Sequence, residues 1–266
     1  TRDKPPLEKA EDIVIYELHT RDLSIHPESG IHHKGKFLGV VEAGTKGPEG
    51  AKTGLDHIKD LGVTHVQFIP IFDFATVNEK KLNEPQYNWG YDPQNYNAPE
   101  GSYSTDPYQP KVRIRELKEM IQGLHDHGLR VIMDVVYNHV YSVEDSNFHK
   151  LVPTYFFRYN ADGTLSNGTG VGNDTASERK MMRKFIVESV TYWAKEFNLD
   201  GFRFDLMGIH DVETMNVVKK ALAEIDPTLI VLGEGWDMDT PLAQELKANQ
   251  KNAFKMPGIA HFNDAI

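Results

Sequence analysis

The chain has 266 residues, 39% hydrophobic and 26% charged, a composition that suits a folded globular protein and excludes disordered and fibrous classes. Its 29 Lys and Arg against 39 Asp and Glu give a formal charge of −10, so no general attraction draws it to nucleic acid or an anionic membrane, and a neutral or cationic ligand fits better. Cysteine is absent, which excludes disulfides, thiol nucleophiles and cysteine-built zinc sites, and no apolar run approaches the roughly 20 residues needed to cross a bilayer. The N-terminus, Thr1-Arg2-Asp3-Lys4-Pro5-Pro6, carries neither an initiator Met nor an apolar signal region, and the chain reads as excised from something longer.

Five short apolar, β-branched runs predict strands: residues 13–18, 63–69, 129–136, 201–206 and 229–234. Their near-continuous hydrophobicity is the mark of strands covered on both faces, as in a parallel sheet. Helical stripes lie between them. Ile114, Leu117, Ile121 and Leu124 share a face that ends at Gly128, a C′ glycine by position. Met181, Met182, Phe185, Ile186, Ser189, Val190, Trp193 and Phe197 form a wider stripe, and Met215, Val218, Leu222 and Ile225 a narrower one that stops before Pro227. Two stretches, 72–110 and 141–177, are rich in turn-forming residues and read as long functional loops, each following a strand. His125 and His127, two apart at a helix end, do not share a face as a metal pair would and are expected to interact with the helix C-terminus.

Charged residues inside the apolar runs are the anomaly, because a buried charge is tolerated only when it is paired or used. Asp134, Arg203, Asp205 and Glu234 are four such residues, each toward the C-terminal end of its run. Arg203 and Asp205, two apart, point to one face of their strand. Gly233 and Gly235 leave room beside Glu234 for a ligand or a neighbouring backbone. Paired carboxylates across a pocket serve glycoside hydrolysis, one as nucleophile or base and the other as proton donor. A guanidinium beside Asp205 favours its ionised form, whereas Glu234, in an apolar run beside Trp236, is the better proton holder. A structural Arg–carboxylate cluster is the alternative.

Asp134-Val135-Val136-Tyr137-Asn138-His139, Gly201-Phe202-Arg203-Phe204-Asp205 and Gly233-Glu234-Gly235-Trp236 resemble, in order, the first three sequence regions of the alpha-amylase family (glycoside hydrolase family 13). Tyr87-Asn88-Trp89-Gly90-Tyr91-Asp92-Pro93 resembles the motif that marks type I pullulanases within that family. The resemblance runs from about residue 10 onward. It implies an α/β chain holding about five βα units of a TIM (β/α)8 barrel over residues 1–266, with 141–177 a reduced subdomain inserted after the third strand. It implies a retaining hydrolase of alpha-1,6-glucosidic branch linkages in pullulan and related alpha-glucans. Asp205 would be the nucleophile and Glu234 the general acid/base. Arg203, His139, Tyr91 and Trp236 would bind substrate, with Tyr91 stacking on a sugar ring, and Asp134 would brace Arg203. An isoamylase-like or alpha-1,4-acting relative, or a non-catalytic glucan-binding fragment, are the other readings.

The resemblance implies no organic cofactor; some relatives bind calcium (Ca2+) near the first region, but the Asp and Asn residues between 144 and 174 follow no spacing that defines such a loop. The family's fourth region, a His-Asp pair at the seventh strand, has no counterpart before Asn263-Asp264-Ala265-Ile266. The expectation is that the rest of the barrel exists as a companion chain, a missing segment or a removed sequence, since an open fragment exposes sheet edges. Met207-Gly208-Ile209-His210 also replace the family's usual histidine shortly after the nucleophile, a departure that itself resembles pullulanases.

Overall fold

Alternation of apolar runs with amphipathic segments produces a parallel α/β chain in the computed structural model, which describes residues 3–264. Thr1, Arg2, Ala265 and Ile266, quoted above for the two termini, lie outside the described residues. In chain order the strands are β1 (Ile15–Leu18), β2 (His65–Phe68), β3 (Phe72–Phe74), β4 (Pro93–Pro99), β5 (Arg130–Val135), β6 (Gly201–Phe204), β7 (Ile230–Gly233) and β8 (Ile259–His261). The α-helices are α1 (Phe37–Val40), α2 (Gly54–Asp60), α3 (Pro110–Asp126), α4 (Asn147–Leu151), α5 (Lys180–Phe197) and α6 (Val212–Ile225). The chain divides into two compact units. The first holds residues up to Tyr91, Asn97–Asp134 and Phe197–Asp200; the second holds Asp92–Tyr96, Val135–Glu196 and the residues from Gly201 onward.

In the first unit β1, β2 and β5 pair in parallel, with Ile15 opposite His65 and Phe68 opposite Met133. Every residue of β2 and β5 is buried, as continuous hydrophobicity requires. Helix α3 buries Leu117, Met120, Ile121 and Leu124 and ends before Gly128, whose φ of +80° is the left-handed turn expected of a C′ glycine. His127 Nδ1 bonds the Gly123 carbonyl at 2.7 Å, the helix-end role expected of it. His125 instead meets buried Asp200 at 2.6 Å. That carboxylate also accepts the Val131 N–H at 2.8 Å and lies 3.2 Å from Arg130, so its burial is compensated.

The second unit repeats the pattern with β6, β7 and β8 in parallel, Phe204 opposite Gly233 and Gly233 opposite His261. Helix α6 joins β6 to β7 and is capped by Asp211, whose carboxylate accepts the Thr214 N–H at 3.0 Å. Trp193 of α5 is fully buried and donates its indole N–H to the Tyr96 carbonyl at 2.9 Å. The 141–177 stretch contains α4 and two short antiparallel bridges, Phe157 with Thr175 and Tyr159 with Leu165. Asp174 ties its turn together by accepting the Gly168 and Thr169 N–H groups, each at 2.9 Å. Strands β3, β4 and β8 are additions to the five expected runs. They are three, seven and three residues long, and the longest carries Gln94, Asn95 and Asn97 between two prolines, a composition with little strand propensity.

In the first unit Glu100 is fully buried and accepts N–H bonds from Ser102 at 2.9 Å and Phe74 at 3.2 Å, yet burial pushes its carboxyl up to about 7. A carboxyl raised in the folded state stabilises fully below its unfolded value, and that contribution disappears as pH rises through the folded value. Stability is therefore expected to fall between about pH 4.5 and 7 on account of Glu100. Urea unfolding across that range should show a flatter dependence in Glu100→Gln.

Candidate active site

Asp205 and Glu234 each stand one residue past a strand end, after β6 and β7 respectively, rather than within the strands. Parallel pairing of Phe204 with Gly233 brings these following residues to the same level on neighbouring strands. Between them lies Arg203, whose side chain is 7% exposed: Nη1 donates to Asp205 Oδ1 at 3.0 Å and Nη2 meets Glu234 Oε1 at 2.8 Å. One guanidinium thus holds both carboxylates, which a planar fork with several in-plane donors does well. Because Arg203 bonds both, its presence alone does not tell a nucleophile from an acid, although the i, i+2 spacing had pointed to Asp205 only.

The second oxygen of each carboxylate is also held. Glu234 Oε2 accepts the Leu206 N–H at 3.0 Å, and Leu206 sits in the left-handed region with φ 42° and ψ 49°. For a residue with a β-carbon that conformation costs about 1–2 kcal/mol, and here it turns the N–H just after Asp205 toward Glu234. Asn138 donates its Nδ2 to the Asp205 carbonyl at 2.7 Å and to Asp205 Oδ2 at 2.9 Å, while its Oδ1 lies 2.6 Å from His139 Nδ1. His139 is buried, and its carbonyl accepts the Tyr96 hydroxyl. Burial pushes the Asp205 carboxyl above its ordinary value, with Glu234 adding to the rise; Arg203 and Asn138 oppose it without reversing it. The direction differs from that expected from the guanidinium alone, because removing the carboxylate from water outweighs the charge beside it.

Three glycines let the ends of β6, β7 and β8 close on one another. A β-carbon on Gly208 would lie 1.9 Å from the Trp236 carbonyl oxygen, and the Gly208 N–H donates to the Glu234 carbonyl at 3.0 Å. The room at Gly233 and Gly235 is filled by protein: a β-carbon there would meet Met207 at 2.8 Å and His261 Nδ1 at 2.4 Å. Trp236 is half-buried. Asp205, Glu234, Arg203, His139 and Trp236 all belong to the second unit. Tyr91 and Asp134 belong to the first, where the half-buried Tyr91 donates its hydroxyl to buried Asp134 at 2.7 Å. Asn138 and Leu206 were not singled out in the sequence. Asn138 stands beside His139 in a quoted motif, whereas nothing in a leucine announces a left-handed turn.

For cations, Asp73, Glu79 and Glu100 of the first unit are three carboxylates close enough to share one ion. Arg113 already stands among them, 2.6 Å from Glu79 and 3.9 Å from Asp73, and supplies the counter-charge itself.

Two outcomes follow from these contacts. Asn138→Ala deletes a bond that favours the ionised Asp205, so the Asp205 titration, followed by carboxyl carbon NMR, is expected to move to higher pH. Gly208→Ala forces a β-carbon onto a backbone oxygen and is expected to cost about 3 kcal/mol, read as a lower denaturation midpoint.

Comparison with known proteins gives this geometry a context. The family described as "Alpha amylase, catalytic domain" matches residues 43–159. Pullulanase of Bacillus subtilis (strain 168) is 54% identical over 259 residues, which is 97% of this chain and 36% of that protein. Pullulanase A of Streptococcus pneumoniae is 40% identical over 235 residues, covering 85% of this chain and 18% of that protein. The crystal structure of pullulanase from Paenibacillus barengoltzii in complex with maltohexaose and alpha-cyclodextrin superposes with a TM-score of 0.97 at 63% identity, over 98% of this chain and 41% of that one. The chain therefore spans well under half the length of these relatives. Its parallel βα units are a portion of a TIM (β/α)8 barrel. With the ordered strand-end motifs, the matching domain and this likeness to pullulanases, the chain belongs to the alpha-amylase family.

Proposed function

We propose that the protein is a retaining glycoside hydrolase that cleaves alpha-1,6-glucosidic linkages in pullulan and related alpha-glucans. The observation that carries this reading is the pair Asp205 and Glu234, on adjacent strand ends and bridged by Arg203. The likeness to pullulanases supports the substrate class, as does the presence of maltohexaose and alpha-cyclodextrin in the Paenibacillus barengoltzii complex. The remaining barrel strands, with the third carboxylate the family uses, would come from the rest of a longer polypeptide.

In the first step an Asp205 oxygen attacks the anomeric carbon, the bond to the glycosidic oxygen breaks, and Glu234 gives that oxygen its proton. In the second, Glu234 takes a proton from water, the hydroxide attacks the same carbon, and Asp205 leaves as carboxylate. Arg203 and Asn138 offset the cost of keeping Asp205 ionised in a buried position. The Leu206 N–H and Arg203 hold Glu234 in one orientation between its two proton transfers. His139 would contact a sugar hydroxyl where the bond breaks, and Trp236 would present aromatic surface to the apolar face of a pyranose; Tyr91, in its own unit, is a sugar-stacking aromatic on the same reading. No organic cofactor takes part.

The experiment uses a full-length protein carrying this sequence. Asp205→Asn should abolish pullulan cleavage, a loss of at least about 10⁴-fold in kcat, with no covalent intermediate. Glu234→Gln should lose cleavage of pullulan but still be labelled on Asp205 by a glucosyl fluoride, whose leaving group needs little protonation. A label on any other residue, or faster cutting of unbranched amylose than of pullulan, would overturn the reading.

A further inference from the structure

Arg203 is fixed in its own plane by the two carboxylates, since guanidinium donors all lie in that plane. In-plane bonds resist rotation about the plane normal but resist tilting out of plane much less. A tilt would lengthen both contacts together. The sequence element that meets this need lies past β8. The guanidinium carbon of Arg203 stands over the ring of Phe262, 5.5 Å from its centroid, within the range of an attractive cation–π contact.

Phe262 is itself tied to the end of β7. Its N–H donates to the Gly233 carbonyl at 3.1 Å, and its carbonyl accepts Gln250 Nε2 at 2.5 Å. Gly233 is the residue before Glu234, and His261, the residue before Phe262, fills the space beside Gly235. The backbone that carries the ring is thus bonded to the backbone that carries one carboxylate, while the ring faces the cation that holds both. Arg203 is only 7% exposed, so water competes little with the ring for its charge.

We infer that Phe262 is a positioning residue for the Asp205–Glu234 pair, its π face setting the tilt of the Arg203 guanidinium so that both carboxylates stay engaged. Resting on the proposed roles of Asp205 and Glu234, the inference adds a residue from a strand end that carries neither of them. Phe262 acts through Arg203, so its removal impairs turnover more than substrate capture. A phenol ring serves as well as a phenyl ring, whereas an aliphatic side chain of similar size does not.

The test replaces Phe262 in a full-length protein carrying this sequence with phenylalanines bearing one, three and five ring fluorines. Fluorination nearly keeps the shape of the ring and progressively weakens, then at five fluorines reverses, the negative potential of its face. The expected result is a graded fall in kcat on pullulan, reaching about tenfold at five fluorines, with KM within about twofold and an unchanged melting temperature. Phe262→Leu should match the fully fluorinated ring, and Phe262→Tyr should restore most of the rate. A kcat flat across the series would overturn the inference, and so would a rise in KM with kcat unchanged, which would make the ring a sugar contact instead. Asp205→Asn, assayed alongside, separates the two levels. If that variant retains turnover, the underlying assignment fails; if it is dead and the fluorinated series is flat, only the role of Phe262 fails.

Discussion

Everything around the carboxylate pair depends on one charge, the guanidinium of Arg203. Two ionised carboxylates brought together in a partly dry site repel by about 4 kcal/mol at 4 Å, for the effective dielectric near a protein surface. A single cation bonded to both offsets that repulsion and orients each acid by a directional hydrogen bond. Its cost is desolvation, visible in Asp205, which binds its proton more tightly than an ordinary aspartate although an arginine and an asparagine both favour the ionised form. Such a carboxylate is harder to keep ionised than one in water, and the Arg203 and Asn138 contacts on its two oxygens offset part of that cost.

The backbone supplies the registration that makes this possible. In parallel pairing, residues that follow paired positions emerge at a common height, so Phe204 opposite Gly233 sets Asp205 level with Glu234 without help from either loop. Closeness is then a matter of missing side-chain atoms. Gly208, Gly233 and Gly235 accept neighbours at distances no β-carbon would tolerate, and the loops after the two strands interlock through the Gly208 to Glu234 backbone bond. Packing beneath is ordinary core chemistry, with Phe202, Phe204, Trp193 and Leu222 wholly buried.

The parts of this arrangement that repeat along the chain were readable in advance. Runs of β-branched residues marked β2, β5, β6 and β7 within a residue or two, and the stripes ending at Gly128 and before Pro227 marked α3 and α6. Charged residues in those runs pointed to Arg203, Asp205 and Glu234 because burial makes an unpaired charge expensive. What escaped was non-periodic or cooperative. Strand β8 is three residues following a glycine, too short to carry a pattern. The reach of Arg203 to Glu234 depends on the register between two strands, and the direction of the Asp205 shift on how much water the fold removes; neither is encoded in local spacing.

The left-handed turn at Leu206 bears on how this pair can be dissected. Its N–H is satisfied by the Glu234 carboxylate, so the side chain of Glu234 is a structural acceptor for a strained peptide as well as the proposed proton carrier. Truncating it to alanine would strand a backbone donor and let the turn beside Asp205 relax toward a commoner conformation, displacing the very group meant to serve as reference. An amide at that position keeps a carbonyl oxygen for Leu206 and carries no acidic proton, at the cost of turning an NH2 group toward Arg203. Isosteric replacement and truncation of this one glutamate are therefore different experiments, the first a probe of the proposed proton transfer and the second a perturbation of the turn on which Asp205 stands.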